Sequence, residues 1–225
     1  MRILKFTEAI NEALTSAMKS NKKVICYGLG IDDPKRIFNT TSNLKEKFGS
    51  ERVFDTPTSE NAMTGVGIGL SLKGYIPVMV HQRLDFFLLA MDQLVNGAAK
   101  WHYMFGGQNN IPITIRLIVG RGWGQGPTHS QSLHSWFAHI PGLKVVMPSS
   151  AKDAKGLLLS SIFDKNPVIF IEHRWLHNTT SNVPKKNYFI PLSSPKIINK
   201  GTDLTLISIS YMTLEARRAI NFLEK

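Results

Sequence analysis

The sequence predicts an α/β fold, with an open and mostly parallel sheet that carries helices on both faces. Short apolar runs alternate with longer segments of helical periodicity through most of the chain. Several runs, such as residues 24–28 and 111–119, are apolar at most positions and do not alternate with polar residues. Such runs are typical of strands covered on both faces, and their alternation with helices predicts a parallel sheet between helical layers.

Each predicted element has a local reason. Thr7 begins the first helix, because Ile10, Leu14 and Met18 recur at spacings of four on one face. Ser59 is placed to cap the helix that ends near residue 72. Strands are predicted at residues 24–28, 52–55, 76–80, 111–119, 144–147 and 168–171, and further helices at residues 86–103, 131–139 and 151–163.

The same signals divide the chain into three parts. Residues 1–172 contain the alternating strands and helices of the first domain. Residues 173–203 contain several prolines and little periodicity, so they are predicted to be a linker. Residues 204–225 contain one further strand and one helix, which cannot bury a core by themselves. This last part is therefore predicted to be the truncated start of a second α/β domain.

Composition excludes several classes of protein. With 43% hydrophobic and 19% charged residues, the 225-residue chain is predicted to be globular, without a membrane span. The beginning of the chain turns polar at once and Cys26 is the only cysteine, which together predict a cytoplasmic protein with a buried thiol. The net charge of +11 would suit an anionic partner. Because the lysines are scattered, an ordinary basic surface is favoured over nucleic-acid binding.

Two familiar motifs can be set aside. Gly28 and Gly30 follow a strand, but Asp33 stands where the dinucleotide-binding fingerprint requires a third glycine. His129, His134 and His139 recur every five residues, a spacing that spreads them around a helix and predicts no shared metal site.

The informative segment is residues 55–60, which forms a strand end, a turn and a helix start. Ligands of open α/β sheets bind beyond the carboxyl ends of the strands, so Glu60 occupies a position suited to function. The alternative is that Glu60 only complements the helix dipole. The helix that follows has glycines at 65, 67 and 69, which favours very close packing by another backbone or a partner chain.

An ordered series of short segments resembles a known family. These segments are 55–60 (DTPTSE), 65–72 (GVGIGLSL), 90–93 (AMDQ), 98–100 (AAK), 128–132 (THSQS), 139–148 (HIPGLKVVMP), 153–158 (DAKGLL) and 164–167 (DKNP). In this order they resemble the beta subunit of the thiamine diphosphate-dependent component of 2-oxo acid dehydrogenase complexes. Residues 1–172 would then be its transketolase-like pyrimidine-binding domain, and residues 201–206 resemble the opening of its C-terminal domain.

The resemblance implies roles for four residues. Glu60 matches the catalytic glutamate that hydrogen-bonds a ring nitrogen of the cofactor's aminopyrimidine. Phe86 matches the aromatic residue that packs on this ring, and Gln82 stands where a methionine often meets the cofactor. His129 matches a catalytic histidine near the substrate. The alternatives are a core phenylalanine at Phe86 and a solvated loop histidine at His129.

The resemblance also implies metals and partners. Some relatives hold potassium, and their ligands match Ile113, Ser161, Ile162, Asp164 and Asn166, although a polar helix end would explain these residues equally well. No Gly-Asp-Gly…Asn-Asn motif is present, so the diphosphate and magnesium would be held by an alpha subunit. The implied assembly is a heterotetramer that acts on a small 2-oxo acid, with a lipoyl acyltransferase as a further candidate partner.

Two other functions stay open at this stage. A truncated, catalytically silent relative could bind or regulate a partner. A split transketolase or another 2-oxo acid decarboxylase subunit would share the same domain type.

Overall fold

The computed structural model describes residues 2–122 and 124–224. Its main sheet has six strands, and every neighbouring pair in it is parallel. In the order in which they lie side by side, these strands are β3 (Val53–Asp55), β2 (Val24–Gly28), β4 (Ile76–Val80), β5 (Thr114–Val119), β7 (Val168–His173) and β6 (Lys144–Val146). Two further strands, β1 (Arg2–Lys5) and β8 (Thr180–Val183), form a separate antiparallel pair.

Eight α-helices accompany these strands in the described part of the chain. They are α1 (Phe6–Ser20), α2 (Leu44–Phe48), α3 (Glu60–Leu72), α4 (Leu84–Phe87), α5 (Trp101–Met104), α6 (His134–Ala138), α7 (Ala151–Ile162) and α8 (Met212–Leu223). By the criterion of helix length, none of the described helices could cross a membrane.

Both faces of the sheet are covered, as the apolar strands predict. Along β7, Phe170 belongs to one buried cluster and Ile169 to the other, because successive side chains of a strand point to opposite faces. The first cluster packs the sheet against α1 and α7. The second packs it against α3, the segment that begins with α4, and α6. The predicted α/β fold with helices on both faces is therefore confirmed.

The predicted helix over residues 86–103 is divided in the structure. After α4 the chain forms a 3₁₀ turn at Leu88–Ala90 and a π-helical segment at Gln93–Ala98, and α5 follows. Gly97 lies in the π-helical segment, and a Cβ there would be 2.9 Å from Cδ1 of Ile68 in α3. The wider turn and the glycine together let α3 approach, a tertiary effect that local periodicity does not contain.

The order of the strands creates a crevice at one edge of the sheet. From β2 the chain moves outward to β3, whereas from β4 it moves in the opposite direction to β5. The loops that leave β2 and β4 therefore part at their carboxyl ends, which is where open α/β sheets bind ligands.

The segment predicted as a linker packs in part against the first domain. Its strand β8 pairs with β1, from Arg2 opposite Val183 to Lys5 opposite Thr180. Lys155 in α7 is fully buried, and its ammonium donates to Glu12 Oε1 at 2.7 Å and to the carbonyl oxygens of residues 184, 185 and 186. A buried cation needs such partners, so Lys155 fastens this segment to the domain.

The strand predicted near residues 203–208 is absent from the described structure. Residues 203–208 carry no strand, and Leu204 and Ile207 are exposed. An isolated strand has unpaired backbone groups, and no described strand lies beside this one to satisfy them. The helix predicted to follow is α8. The boundaries of the second domain stay a prediction.

Cys26 in β2 is fully buried, as its apolar surroundings predict. Burial raises the pKa of its thiol to about 12, with a smaller opposing effect of Arg116. The thiol is therefore protonated at neutral pH and has a structural role.

Candidate active site

The residues predicted to contact cofactor or substrate follow the carboxyl ends of neighbouring strands. Glu60 follows β3, Gln82 and Phe86 follow β4, and His129 lies in the loop after β5. In a parallel sheet these ends share one edge, so the fold places all four residues at the edge that contains the crevice.

Glu60 is the first residue of α3 and is only 6% exposed. Its backbone carbonyl accepts a hydrogen bond from Thr64 Oγ1 at 2.9 Å. No described residue donates to its carboxylate or forms an ion pair with it. Its carboxylate oxygens are not among the fully buried, unpartnered side-chain atoms of the described residues, so they reach the surface at this edge and are available for a donor from outside the chain.

Close packing of α3 on the sheet fixes the position of Glu60. The Tyr27 hydroxyl of β2 donates to the Met63 carbonyl at 2.9 Å. A Cβ at Gly67 would be 2.4 Å from both the Tyr27 hydroxyl and Cδ1 of Ile113, so only glycine fits there without movement. By contrast, nothing lies within 4 Å of a Cβ at Gly69, so its packing against a partner chain stays a prediction.

The turn before Glu60 is held by Asp55, a role that sequence reasoning missed. The Asp55 carboxylate accepts from the backbone N–H of Ile31 at 2.6 Å and of Asp32 at 3.1 Å. It therefore joins the end of β3 to the loop after β2. A carboxylate at a strand end, two residues before Pro57, was a usable signal for this kind of turn contact.

Phe86 and His129 meet at this edge although they are far apart in sequence. Their ring centroids are 5.2 Å apart and the rings are nearly perpendicular, at 87°. Phe86 is 42% exposed, whereas its neighbour Phe87 is fully buried. The alternative of a core phenylalanine therefore applies to Phe87 and not to Phe86. Thr128 Oγ1 lies 3.2 Å from Nδ1 of His129, which restricts the orientation of the imidazole ring.

Two further contacts fasten the loop after β5 to the segment after β4. Arg83 Nη2 donates to Oε1 of Gln125 at 2.5 Å. Asp85 Oδ1 accepts from both the backbone and the side chain of Gln131, at 3.1 and 3.0 Å. The glycine-rich loop is thus attached on either side of His129.

Gln82 faces the loop after β2. Its Nε2 donates to Asp33 Oδ2 at 3.3 Å, and a Cβ at Gly30 would be 2.2 Å from the same nitrogen. Gln82 is exposed at the crevice, and its contact with a cofactor stays a prediction.

His81, which sequence reasoning did not single out, is buried beside this site. It is 1% exposed and packs edge-on against Phe87 with ring centroids 5.0 Å apart. Neither ring nitrogen has a hydrogen-bond partner among the described residues. Burial lowers the pKa of His81 from its ordinary 6.5 to about 4, so the folded protein holds the neutral ring.

His81→Phe is expected to raise the free energy of unfolding at neutral pH by ~1–3 kcal/mol, because it removes two unpaired buried nitrogens. The unfolded chain binds the His81 proton more tightly than the folded chain does. Wild-type stability should therefore fall as the pH drops from 6.5 towards 4, and the variant should lack this part of the loss. Urea unfolding across this range measures both effects. His139→Phe, at an exposed position, is the control; equal pH dependence in all three proteins would contradict the prediction.

The residues predicted for potassium lie at the opposite edge of the sheet. Ile113 precedes β5, and Asp164 and Asn166 precede β7. The Lys144 ammonium and the Asn166 amide both donate to the Asp164 carboxylate. Burial opposes ionisation of Asp164, but these donors outweigh it and hold its pKa below the ordinary value. Two of the candidate carbonyl oxygens already accept hydrogen bonds within the protein. That of Ile113 accepts from Val168 N at 2.9 Å, and that of Ser161 accepts from Asp164 N at 3.2 Å.

A buried ion pair supports the sheet behind the candidate site. Arg116 in β5 and Glu172 in β7 are fully buried, and Arg116 Nε donates to Glu172 Oε1 at 2.7 Å. Nε2 of the buried His177 lies 3.3 Å from Glu172 Oε2. Sequence reasoning missed this group, although a charged residue inside one apolar strand and another directly after a second one were a signal for it. Burial opposes ionisation of Glu172, yet Arg116 and His177 hold its pKa below the ordinary value.

Comparison with known proteins places this site in a family. Residues 3–179 match the model of the transketolase, pyrimidine binding domain. The chain belongs to this family. It is 38% identical to the pyruvate dehydrogenase E1 component subunit beta of Bacillus subtilis (strain 168), over 97% of this chain and 67% of that protein. The predicted resemblance to beta subunits of 2-oxo acid dehydrogenases is confirmed.

Other members of the family match over less of their own length. The chain is 38% identical to the pyruvate dehydrogenase E1 component subunit beta of Rhizobium meliloti (strain 1021), over 100% of this chain and 49% of that protein. It is 42% identical to the mitochondrial 2-oxoisovalerate dehydrogenase subunit beta 2 of Arabidopsis thaliana, over 88% and 56%. The chain therefore spans about half to two thirds of the relatives that it matches.

Two solved structures share the fold. A split gene transketolase, described as an inactive beta4 tetramer, superposes with a TM-score of 0.79 at 20% identity, over 98% of this chain and 67% of that one. Transketolase from Leishmania mexicana superposes with a TM-score of 0.63 at 20% identity, over 80% and 26%.

Proposed function

We propose that this chain is the beta-type subunit of a thiamine diphosphate-dependent 2-oxo acid dehydrogenase or decarboxylase, active only with an alpha subunit. The observation that carries the proposal is Glu60, which is only 6% exposed at the ligand-binding edge and whose carboxylate receives no donor from the described residues. Membership of the transketolase pyrimidine-binding family supports the cofactor, and similarity to subunits named as E1 beta supports the class of reaction.

The residues present suit one half of this cofactor. A ring nitrogen of an aminopyrimidine would supply the partner that the Glu60 carboxyl group lacks, and the exposed ring of Phe86 offers an apolar surface for the pyrimidine. We assign the diphosphate and magnesium to the alpha subunit, because the Gly-Asp-Gly…Asn-Asn motif that holds them in the family does not occur in this sequence.

When bound, thiamine diphosphate supplies the electron sink that decarboxylation of a 2-oxo acid requires. Glu60 would hydrogen-bond the pyrimidine nitrogen through its carboxyl group and so control the protonation of the ring. Phe86 would orient the ring by packing against it. His129, held by Phe86 and by Thr128, would serve the reacting carbonyl group as a hydrogen-bond donor or general acid. Gln82 would border the cofactor from the loop after β4.

We extend the proposal to assembly and ions. The chain pairs with the alpha subunit and with a second copy of itself in a cytoplasmic heterotetramer, and a lipoyl acyltransferase receives the product. The exposed Gly69 and the half-buried Gly65 of α3 suit close contact with another subunit. Potassium binds through oxygens of Ile113, Ser161, Ile162, Asp164 and Asn166. Because Lys144 already pairs with the Asp164 carboxylate, the ion would rely mainly on carbonyl oxygens.

The test is reconstitution with the alpha subunit that carries the diphosphate motif. The chain alone should show no thiamine diphosphate-dependent turnover, because half of the site is missing, and the mixture should decarboxylate a 2-oxo acid. A screen of 2-oxo acids and ketose phosphates separates this function from that of a split transketolase. If the chain forms a complex with the alpha subunit but this complex turns over none of these substrates, the result would support the catalytically silent alternative and overturn the proposal.

A further inference from the structure

Three arginines follow the ends of three adjacent strands at the candidate active site. Arg83 comes three residues after β4, Arg121 two residues after β5, and Arg174 directly after β7. Since β4, β5 and β7 are consecutive parallel neighbours, the three side chains begin at the same edge of the sheet. None of them has a role in the function proposed above.

Contacts with neighbouring side chains hold the arginines at this edge of the sheet. Arg83 bonds Gln125 in the loop that carries His129. The guanidinium carbon of Arg121 lies 5.5 Å from the centre of the Trp175 ring. That of Arg174 lies 4.3 Å from the centre of the Phe38 ring, in the loop after β2. An arginine stacked on an aromatic ring is pre-organised and keeps its N–H edges for a planar or tetrahedral anion.

The positive charges of Arg121 and Arg174 have no carboxylate partner among the described residues, whereas Asp85 acts on Arg83. No described carboxylate lies within ion-pairing distance of Arg121 or Arg174, although Arg36 on the same side of the molecule pairs with Glu46. Burial lowers the pKa of Arg174, and the charge of Arg83 lowers it further, so these two cations repel each other. Protein folding does not favour gathered like charges, and an anion between them would relieve the repulsion.

We infer that Arg83, Arg121 and Arg174 form an oxyanion subsite, which selects a 2-oxo acid carrying a second anionic group, a carboxylate or a phosphate, beyond its 2-oxo carboxylate. This inference rests on the proposed function for the assignment of the anion to the substrate. Binding of a second oxyanion by stacked, forked guanidinium groups would distinguish such substrates from pyruvate, which lacks the group.

The test is calorimetric titration of the full chain with inorganic phosphate, with 2-oxoglutarate and with pyruvate. Phosphate and 2-oxoglutarate should each bind at least about tenfold more tightly than pyruvate, and the stronger of the two identifies the preferred anion. Arg121→Gln and Arg174→Gln should each weaken that binding by about tenfold, and Arg174→Lys by less. Lys73→Gln, which removes a positive charge before β4 at the opposite edge, should have no effect.

Melting temperatures confirm that each variant is folded; Arg121 is exposed, so its replacement should not disturb the fold. The inference would be overturned if neither phosphate nor 2-oxoglutarate bound. It would also be overturned if wild type, Arg121→Gln and Arg174→Gln bound the anion with equal affinity. The proposed function fails separately, through absence of turnover with the alpha subunit. If the chain binds anions through these arginines but shows no turnover with the alpha subunit, the subsite stands and only its assignment to a 2-oxo acid is removed.

Discussion

Glu60→Gln is expected to lower thiamine diphosphate-dependent decarboxylation by the alpha–beta enzyme by about 100- to 10,000-fold, the range of a lost acid–base group. Glutamine has nearly the same shape as glutamate, so the packing of α3 on Tyr27 should be preserved. The amide cannot exchange a proton with the pyrimidine nitrogen as a carboxyl group does. The loss should therefore appear in kcat and not only in the affinity for the cofactor.

Glu51→Gln is the matched control for this prediction. Glu51 is exposed and lies before β3, whereas Glu60 follows the same strand at its other end. This variant removes the same charge outside the candidate site and should keep full activity. Steady-state decarboxylation rates at saturating cofactor measure the effect, with unfolding curves to verify both proteins. A Glu60→Gln variant that retains more than a tenth of wild-type kcat would exclude the role of Glu60 in activating the cofactor.

Glu172→Gln should lower the free energy of unfolding by about 3–5 kcal/mol, because it leaves the buried Arg116 charge uncompensated. Arg116 and Glu172 are both fully buried, so water cannot replace the missing partner. Urea denaturation at neutral pH measures the change. Since the pKa of Glu172 is held below its ordinary value, its stabilising contribution is present above the unfolded pKa and is lost as the pH falls through the folded one.

The double replacement Arg116→Met/Glu172→Leu separates charge from packing. Removing both charges leaves no buried ion, so the double variant should be more stable than Glu172→Gln even though two residues have changed. Equal destabilisation by the single and double variants would show that shape, and not the ion pair, matters at this position. A wild-type-like Glu172→Gln would contradict the prediction outright.

The candidate site was predictable to different degrees at different residues. Glu60 could be placed from local sequence, because a strand end, a turn and a helix start are all local signals. Phe86 and His129 could be proposed only from the family resemblance, and their contact depends on how β4 and β5 lie side by side. Asp55 was missed because its hydrogen bonds come from the loop after β2, and His81 was missed because its burial depends on tertiary packing.

The C-terminal part illustrates the same limit for the fold. Apolar periodicity predicted a strand near residues 203–208, but a strand forms only beside a neighbour, and the described sheets offer none there. The segment after β7 has little periodicity and was predicted as a linker. It packs on the domain because Lys155, more than twenty residues earlier in the chain, binds its carbonyl oxygens.

By itself the sequence determined the layered α/β class, most strands and the family, because apolar runs, helical spacing and ordered motifs are properties of neighbouring residues. Only the tertiary structure decided which strands adjoin and which charges lie together. The Arg116–Glu172 pair and the approach of Arg83 to Arg174 join residues more than fifty positions apart. Contacts of this kind depend on strand order and burial, and short stretches of sequence do not encode either one.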